Sequence, residues 1–164
     1  MFHIKQLELV HWDYWRRFNL PLDAQIITIV GPNGSGKTTL LDALRTLFGL
    51  RCSGKRDFRR YVRRANRSFA WIRAVVANKP GSTGKRPFFP CLKDEVTLAC
   101  RIRRAGGDWT RDYAIADGDI SIEALLFKPA GNGHARVAGE RLEGLRHAFE
   151  IDGDLLRATE HELG

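Results

Sequence analysis

The chain has 164 residues, 43% of them hydrophobic and 28% charged, and a net charge of +8. This suits one globular domain with a core of its own, and excludes a repeat or low-complexity chain. No stretch approaches the ~20 apolar residues of a membrane span, and charge enters the N-terminus at once, so neither a signal nor a transit peptide is expected and the cytoplasm is the expected compartment.

In chain order, FHIKQLELV places Phe2 and Ile4, then Leu7 and Leu9, in alternation with one slip of phase, which predicts a strand with a bulge. RRFNLPLD sets Phe18, Leu20 and Leu22 at period two, a second strand at an edge that tolerates Pro21. QIITIV is a continuous apolar, β-branched run, the pattern of a strand buried on both faces. GPNGSGKTT follows as a glycine-rich turn. Leu40, Leu41, Leu44, Leu47 and Phe48 then recur at helical spacing, and Gly49 closes that helix.

Over residues 51–67, Phe58, Tyr61, Val62 and Ala65 share one helical face, with arginines around them. FAWIRAVVAN reads as a strand and KPGSTGKRPFFPCLK as a loop. Val96, Leu98, Cys100 and Ile102 alternate, as do Trp109, Tyr113 and Ile115 beyond the turn RRAGGD, which predicts a hairpin. PAGNGHARVAGE is a connection, and ERLEGLRHAFEI and DLLRATEHEL are two short predicted helices, the second with Asp152 or Asp154 near its start. Cys52, Cys91 and Cys100 are odd in number and widely spaced, which predicts reduced thiols and neither a zinc site nor a disulfide framework.

The turn carries the chemistry. Gly31, Gly34, Gly36, Lys37 and Thr38, with Pro32, Asn33 and Ser35 between them and Thr39 after, meet the pattern G-x-x-x-x-G-K-[ST] between a predicted strand and a predicted helix. Glycines allow the backbone to turn its amide N–H groups inward, and the helix adds its positive end, so residues 31–39 are expected to hold the phosphates of ATP. Lys37 is expected at the β- and γ-phosphates and the Thr38 hydroxyl on Mg²⁺. No dinucleotide fingerprint is present. A P-loop also needs an acidic strand end to complete hydrolysis. LKDEVTLAC has its acids before the apolar run, AIADGD sits in a turn-bound segment, and HAFEIDGD reads as helix then turn, so none supplies one.

The order of features in IKQLELVHWDYWRRFNLPLDAQIITIVGPNGSGKTTLLDALRTLFGL resembles the N-terminal head segment of SMC-type ATPases, closely over residues 1–50, less so over 69–117 and weakly from 118 on. The resemblance implies an α/β fold, a P-loop NTPase half-domain with a mixed β-sheet, a P-loop helix and a β-rich subregion. It implies one lobe over 1–164, divided into strands and P-loop helix (1–50), basic helix (51–67), β-rich part (68–117) and a helical exit toward a coiled coil (118–164). It implies that a C-terminal head half, in the same or another chain, supplies the missing acidic strand, and that ATP is sandwiched between two heads. A kleisin-like or nuclease subunit is a further implied partner. Such lobes end with a glutamine near Mg²⁺; here Glu160 and His161 occupy roughly that place as candidates, against an ordinary helix end. Related lobes also carry a basic residue after the first strand; here that turn has Asp13, and Arg16 and Arg17 are the candidates for phosphate.

Charge is unevenly spread: residues 1–104 carry 21 basic and 7 acidic side chains, residues 105–164 carry 6 and 12. The densest part is Arg51, Lys55, Arg56, Arg59, Arg60, Arg63, Arg64 and Arg67 against the lone acid Asp57. Such a face fits the backbone of duplex DNA, with no base readout expected, or the nucleotide of an engaged head. A solvated face is the plain alternative. The rival functions are a small P-loop metabolite kinase and a non-catalytic, nucleotide-responsive DNA-binding scaffold.

Overall fold

The computed structural model describes residues 3–24, 26–88 and 91–126. The helices predicted near the C-terminus, and with them Glu160 and His161, lie outside these residues.

Five strands form one sheet in the order β2-β1-β3-β4-β5, with β1 at Ile4–Trp12, β2 at Trp15–Pro21, β3 at Phe69–Ala77, β4 at Glu95–Ala105 and β5 at Asp108–Asp117. Every pairing is antiparallel. The slip of phase in the first strand is a register shift between Ile4 and Gln6, and the Pro21 strand lies at an edge, where a missing N–H leaves no ladder position unfilled. Gly106 and Gly107, both at positive φ, turn β4 into β5.

One apolar row crosses the sheet through paired positions Phe18, Leu9, Ile72, Cys100 and Tyr113. Two helices cover this face: α1 at Lys37–Leu47 buries Leu40, Ala43 and Leu47, and α2 at Phe58–Ala65 buries Phe58, Tyr61 and Val62. Burying each large side chain contributes roughly 1.5–3 kcal/mol. Tyr113 Oη donates to Thr46 O at 2.8 Å and ties sheet to helix. On the opposite face Arg73 is buried between Glu8 and Asp119 and donates Nε to Ile120 O at 2.6 Å, next to the short helix α3 at Ile122–Leu126.

Two expectations need correction. QIITIV is not a buried strand here: Ile26 is 86% and Val30 82% exposed, and no described strand pairs with 26–30. The described sheet is accordingly antiparallel rather than mixed. The physical reason is common to both. A run apolar on both faces needs strands on both sides, and no described strand lies alongside.

Cys52, Cys91 and Cys100 are all buried. Among the described residues no helix is long and apolar enough to cross a membrane.

Candidate phosphate-binding site

The P-loop backbone follows from its glycines. Gly34 (φ 85°) and Gly36 (φ 90°) adopt left-handed conformations that other residues enter at a cost. A Cβ on Gly36 would also meet the Trp15 ring at 3.2 Å, a second demand at that position, and one on Gly31 would meet Ser35 Oγ at 2.6 Å, so that this side chain would have to turn away. Gly36 is the N-cap of α1, and no side chain caps the helix. The first-turn N–H groups are therefore unsatisfied by side chains and suit an anion.

At the other end α1 stops by a Schellman arrangement: Leu50 N donates to Arg45 O at 2.7 Å and Gly49 N to Thr46 O at 3.1 Å, with Gly49 at φ 71°.

Lys37 Nζ folds over the loop and donates to Pro32 O at 2.7 Å and to Gly31 O. These acceptors place the ammonium within the cradle where phosphate oxygens would be bound. The cavity beside it measures about 360 Å³ and is lined by residues 33–39, by Asp13, Tyr14 and Trp15 of the turn between β1 and β2, and by Arg56, Arg60, Tyr61 and Arg64. Thr38 is exposed on it. A turn with open amide donors, a lysine and three arginines fits a polyphosphate, and Thr38 stands on the same cavity wall. Among the described residues no cluster of three or more His, Cys, Asp or Glu could hold a metal by itself.

The turn and both helices are locked together. Trp12, fully buried, stacks on Tyr61 at 4.7 Å between centroids and donates Nε1 to Thr39 O at 3.0 Å. Asp42 of α1 accepts from Ser53 N at 2.6 Å, Ser53 Oγ at 2.7 Å and Tyr61 Oη. Burial pushes the Asp42 carboxyl up, but those hydrogen bonds and nearby Arg56 outweigh it and hold the group below the ordinary aspartate range. Burial, then Asp42, push the Tyr61 phenol up. Asp57 caps α2 by accepting from Arg59 N at 2.9 Å.

This packing sorts the arginines. Arg56, Arg60 and Arg64 line the cavity, whereas Arg59, Arg63 and Arg67 are absent from its lining. Arg59 pairs with Asp57 at 3.1 Å and lies over the Phe58 ring. Neither Arg16 nor Arg17 lines the cavity; Arg17 pairs with Glu8 at 2.6 Å. Among the described residues, the acids weighed as a hydrolytic motif have other partners: Asp117 accepts from Leu92 N and Lys93 N, Asp119 meets Arg73, Asp94 meets Arg86 and Glu95 meets Lys5, while HAFEIDGD lies outside the described residues. Sequence alone offers no reason to place Tyr14 and Trp15 on the site, or to see Trp12 as the buried support beneath it. The only signal was a cluster of aromatics just after the first strand, with nothing to link it to a loop some twenty residues on.

Loop, helix start and cavity together define a P-loop phosphate site. Residues 4–55 match the family described as the P-loop containing region of AAA domain. Over 84 residues, 51% of this chain, it is 43% identical to the chromosome partition protein Smc of Synechococcus sp. (strain ATCC 27144 / PCC 6301 / SAUG 1402/1), and the aligned part spans 6% of that relative. The N-terminal region of this chain is thus similar in sequence to that of an SMC-type ATPase. A solved structure of the recombination mediator protein RecF with ATP, from the RecFOR pathway, aligns with 88% of this chain and 38% of its own, at 15% identity and a TM-score of 0.45.

Proposed function

We infer that this chain is the ATP-binding N-terminal half of an SMC-like, DNA-acting ATPase head. The observation that carries the reading is the P-loop itself, with left-handed glycines, uncapped helix start and Lys37 over the cradle, directly after an apolar segment that no described strand pairs with. The C-terminal head half brings the neighbouring strands for residues 26–30 and the acidic strand end for hydrolysis. Magnesium, when bound, neutralises phosphate charge; from this chain Thr38 contributes its hydroxyl and Lys37 its ammonium. Residues 1–164 form one lobe, and residues beyond 118 lead toward a coiled coil. A second head, duplex DNA and a bridging or nuclease subunit are the partners, and the cytoplasm, at the nucleoid, is the place. Similarity to Smc favours this reading over a metabolite kinase.

The test is turnover. The purified 164-residue chain is expected to bind ATP weakly and to hydrolyse it no faster than its Lys37→Ala variant, since half the catalytic groups are elsewhere. Adding the C-terminal head half should start hydrolysis and slow amide exchange at Ile27–Val30. Hydrolysis by the chain alone, well above the Lys37→Ala control, refutes the split head.

DNA contact rests on the arginines outside the cavity. Replacing Arg59, Arg63 and Arg67 by alanine is expected to weaken binding to unrelated duplexes alike and to flatten the salt dependence by about 0.9 per lost phosphate contact. ATP affinity should stay within about twofold, because these side chains do not line the cavity. Fluorescence anisotropy at several salt concentrations reads both effects. An unchanged salt slope means the outer arginines are only solvated.

A further inference from the structure

Among the described residues, the one acid on the wall of the cationic cavity is Asp13. It stands at φ 55°, with His11 at φ 53° two residues before, so two non-glycine residues of one turn are left-handed. Such backbone persists only where its surroundings enforce it. They do: Asp13 N donates to Tyr61 O at 3.1 Å, Trp12 anchors on Thr39 O, and His11 Nδ1 lies 3.2 Å from Phe69 O.

The enforced turn holds the Asp13 carboxylate, 6% exposed, between the two helices. Its interactions there are weak. Thr39 Oγ1 donates to Oδ2 at 3.4 Å and Arg64 Nη1 to Oδ1 at 3.5 Å. Arg64 in turn lies 5.7 Å from the centre of the Tyr14 ring. A guanidinium has five N–H donors, and a long single contact to Asp13 uses one. A phosphate in the same cavity offers Arg64 shorter, doubly bonded geometry. The carboxylate left behind would repel that phosphate.

We propose that Asp13 is a positioning residue that holds Arg64 in reserve, and that polyphosphate binding transfers Arg64 from Asp13 to the phosphate. Asp13 thereby lowers affinity for the nucleotide and makes its release easier. The proposal rests on the reading of residues 31–39 as an ATP site.

Asp13→Asn is a clean probe. Asparagine tolerates left-handed backbone, keeps an acceptor for Thr39 Oγ1 and removes only the charge. ATP binding to the full chain, followed with a fluorescent ATP analogue, should tighten about fivefold in Asp13→Asn and weaken about fivefold in Arg64→Ala. In the Arg64→Ala background Asp13→Asn should gain clearly less than it does alone, because the exchange is gone and only direct repulsion is relieved. Magnesium tripolyphosphate, competing for the site, should gain by the same factor as ATP in Asp13→Asn.

Additive effects in the double variant overturn the exchange and leave Asp13 a bystander charge. Weaker binding by Asp13→Asn overturns it too, since Asp13 would then be aiming Arg64 at the ligand. A gain for ATP without one for tripolyphosphate overturns it by putting Arg64 on base or sugar. Lys37→Ala separates this from the parent reading: if that variant binds ATP normally, the phosphate site itself is misassigned.

Discussion

Replacing Lys37 by alanine is expected to weaken ATP binding about 100-fold or more while leaving the fold in place. Charge-assisted hydrogen bonds contribute about 1.5–3 kcal/mol each, and tenfold in affinity is about 1.4 kcal/mol. The ammonium is the flexible cation of the cradle, and the carbonyls it meets, Gly31 O and Pro32 O, belong to the loop that would surround the phosphates. Its loss removes no buried contact, because its hydrogen bonds to Gly31 O and Pro32 O are made at the exposed surface of the loop. Stability should therefore change by no more than about 0.5 kcal/mol. Calorimetry with ATP and Mg²⁺, paired with thermal unfolding of the same sample, reads both quantities. Unchanged affinity sinks the nucleotide assignment. Lost affinity together with a collapsed melting temperature means that Lys37 supports the fold instead.

Asp42→Ala is expected to cost roughly 3–5 kcal/mol of stability, the largest effect on the fold anticipated for a single polar change. Asp42 is fully buried and accepts three hydrogen bonds that join α1, the loop at Ser53 and α2. Removing the acceptor leaves the Tyr61 hydroxyl and the Ser53 donors unpaired, at about 1–3 kcal/mol each where buried. That is a large share of the ~5–15 kcal/mol that holds a domain together. The pH dependence has a definite sign. The folded carboxyl titrates below its unfolded value near 3.9, so its stabilisation is complete above that value and is lost as pH falls through the folded one. Urea unfolding followed by tryptophan fluorescence should give a lower midpoint for Asp42→Ala at pH 7. Asp42→Asn should show a flatter loss of stability in acid than the parent chain. An Asp42→Ala midpoint equal to the parent's would mean that the buried network adds nothing.

The P-loop was legible in the sequence because its demands are local. Two left-handed glycines, a lysine and a threonine act within eight consecutive residues, and a strand pattern and a helix pattern flank them. The hairpin from β4 to β5 was legible for the same reason: alternation on both sides of paired glycines leaves one register that buries Leu98, Cys100 and Ile102 on the face of Tyr113 and Ile115. The bulge in β1 and the edge position of Pro21 followed from side-chain period and a missing N–H.

What the arginines face was decided only in three dimensions. By sequence Arg59, Arg60, Arg63 and Arg64 form one basic run. The rotation of α2, set by Tyr61 on Asp42 and Trp12, turns Arg60 and Arg64 toward the P-loop and leaves Arg59 and Arg63 outside its cavity. Asp13 joins Arg64 across 51 positions of chain, a pairing no local pattern encodes. The segment 26–30 makes the same point from the other side. Its β-branched, apolar composition states a demand for burial, which belongs to the sequence alone. Whether that demand is met depends on which strands lie alongside, and among the described residues none does, because hydrophobic burial and ladder hydrogen bonds come from neighbours in space rather than in sequence.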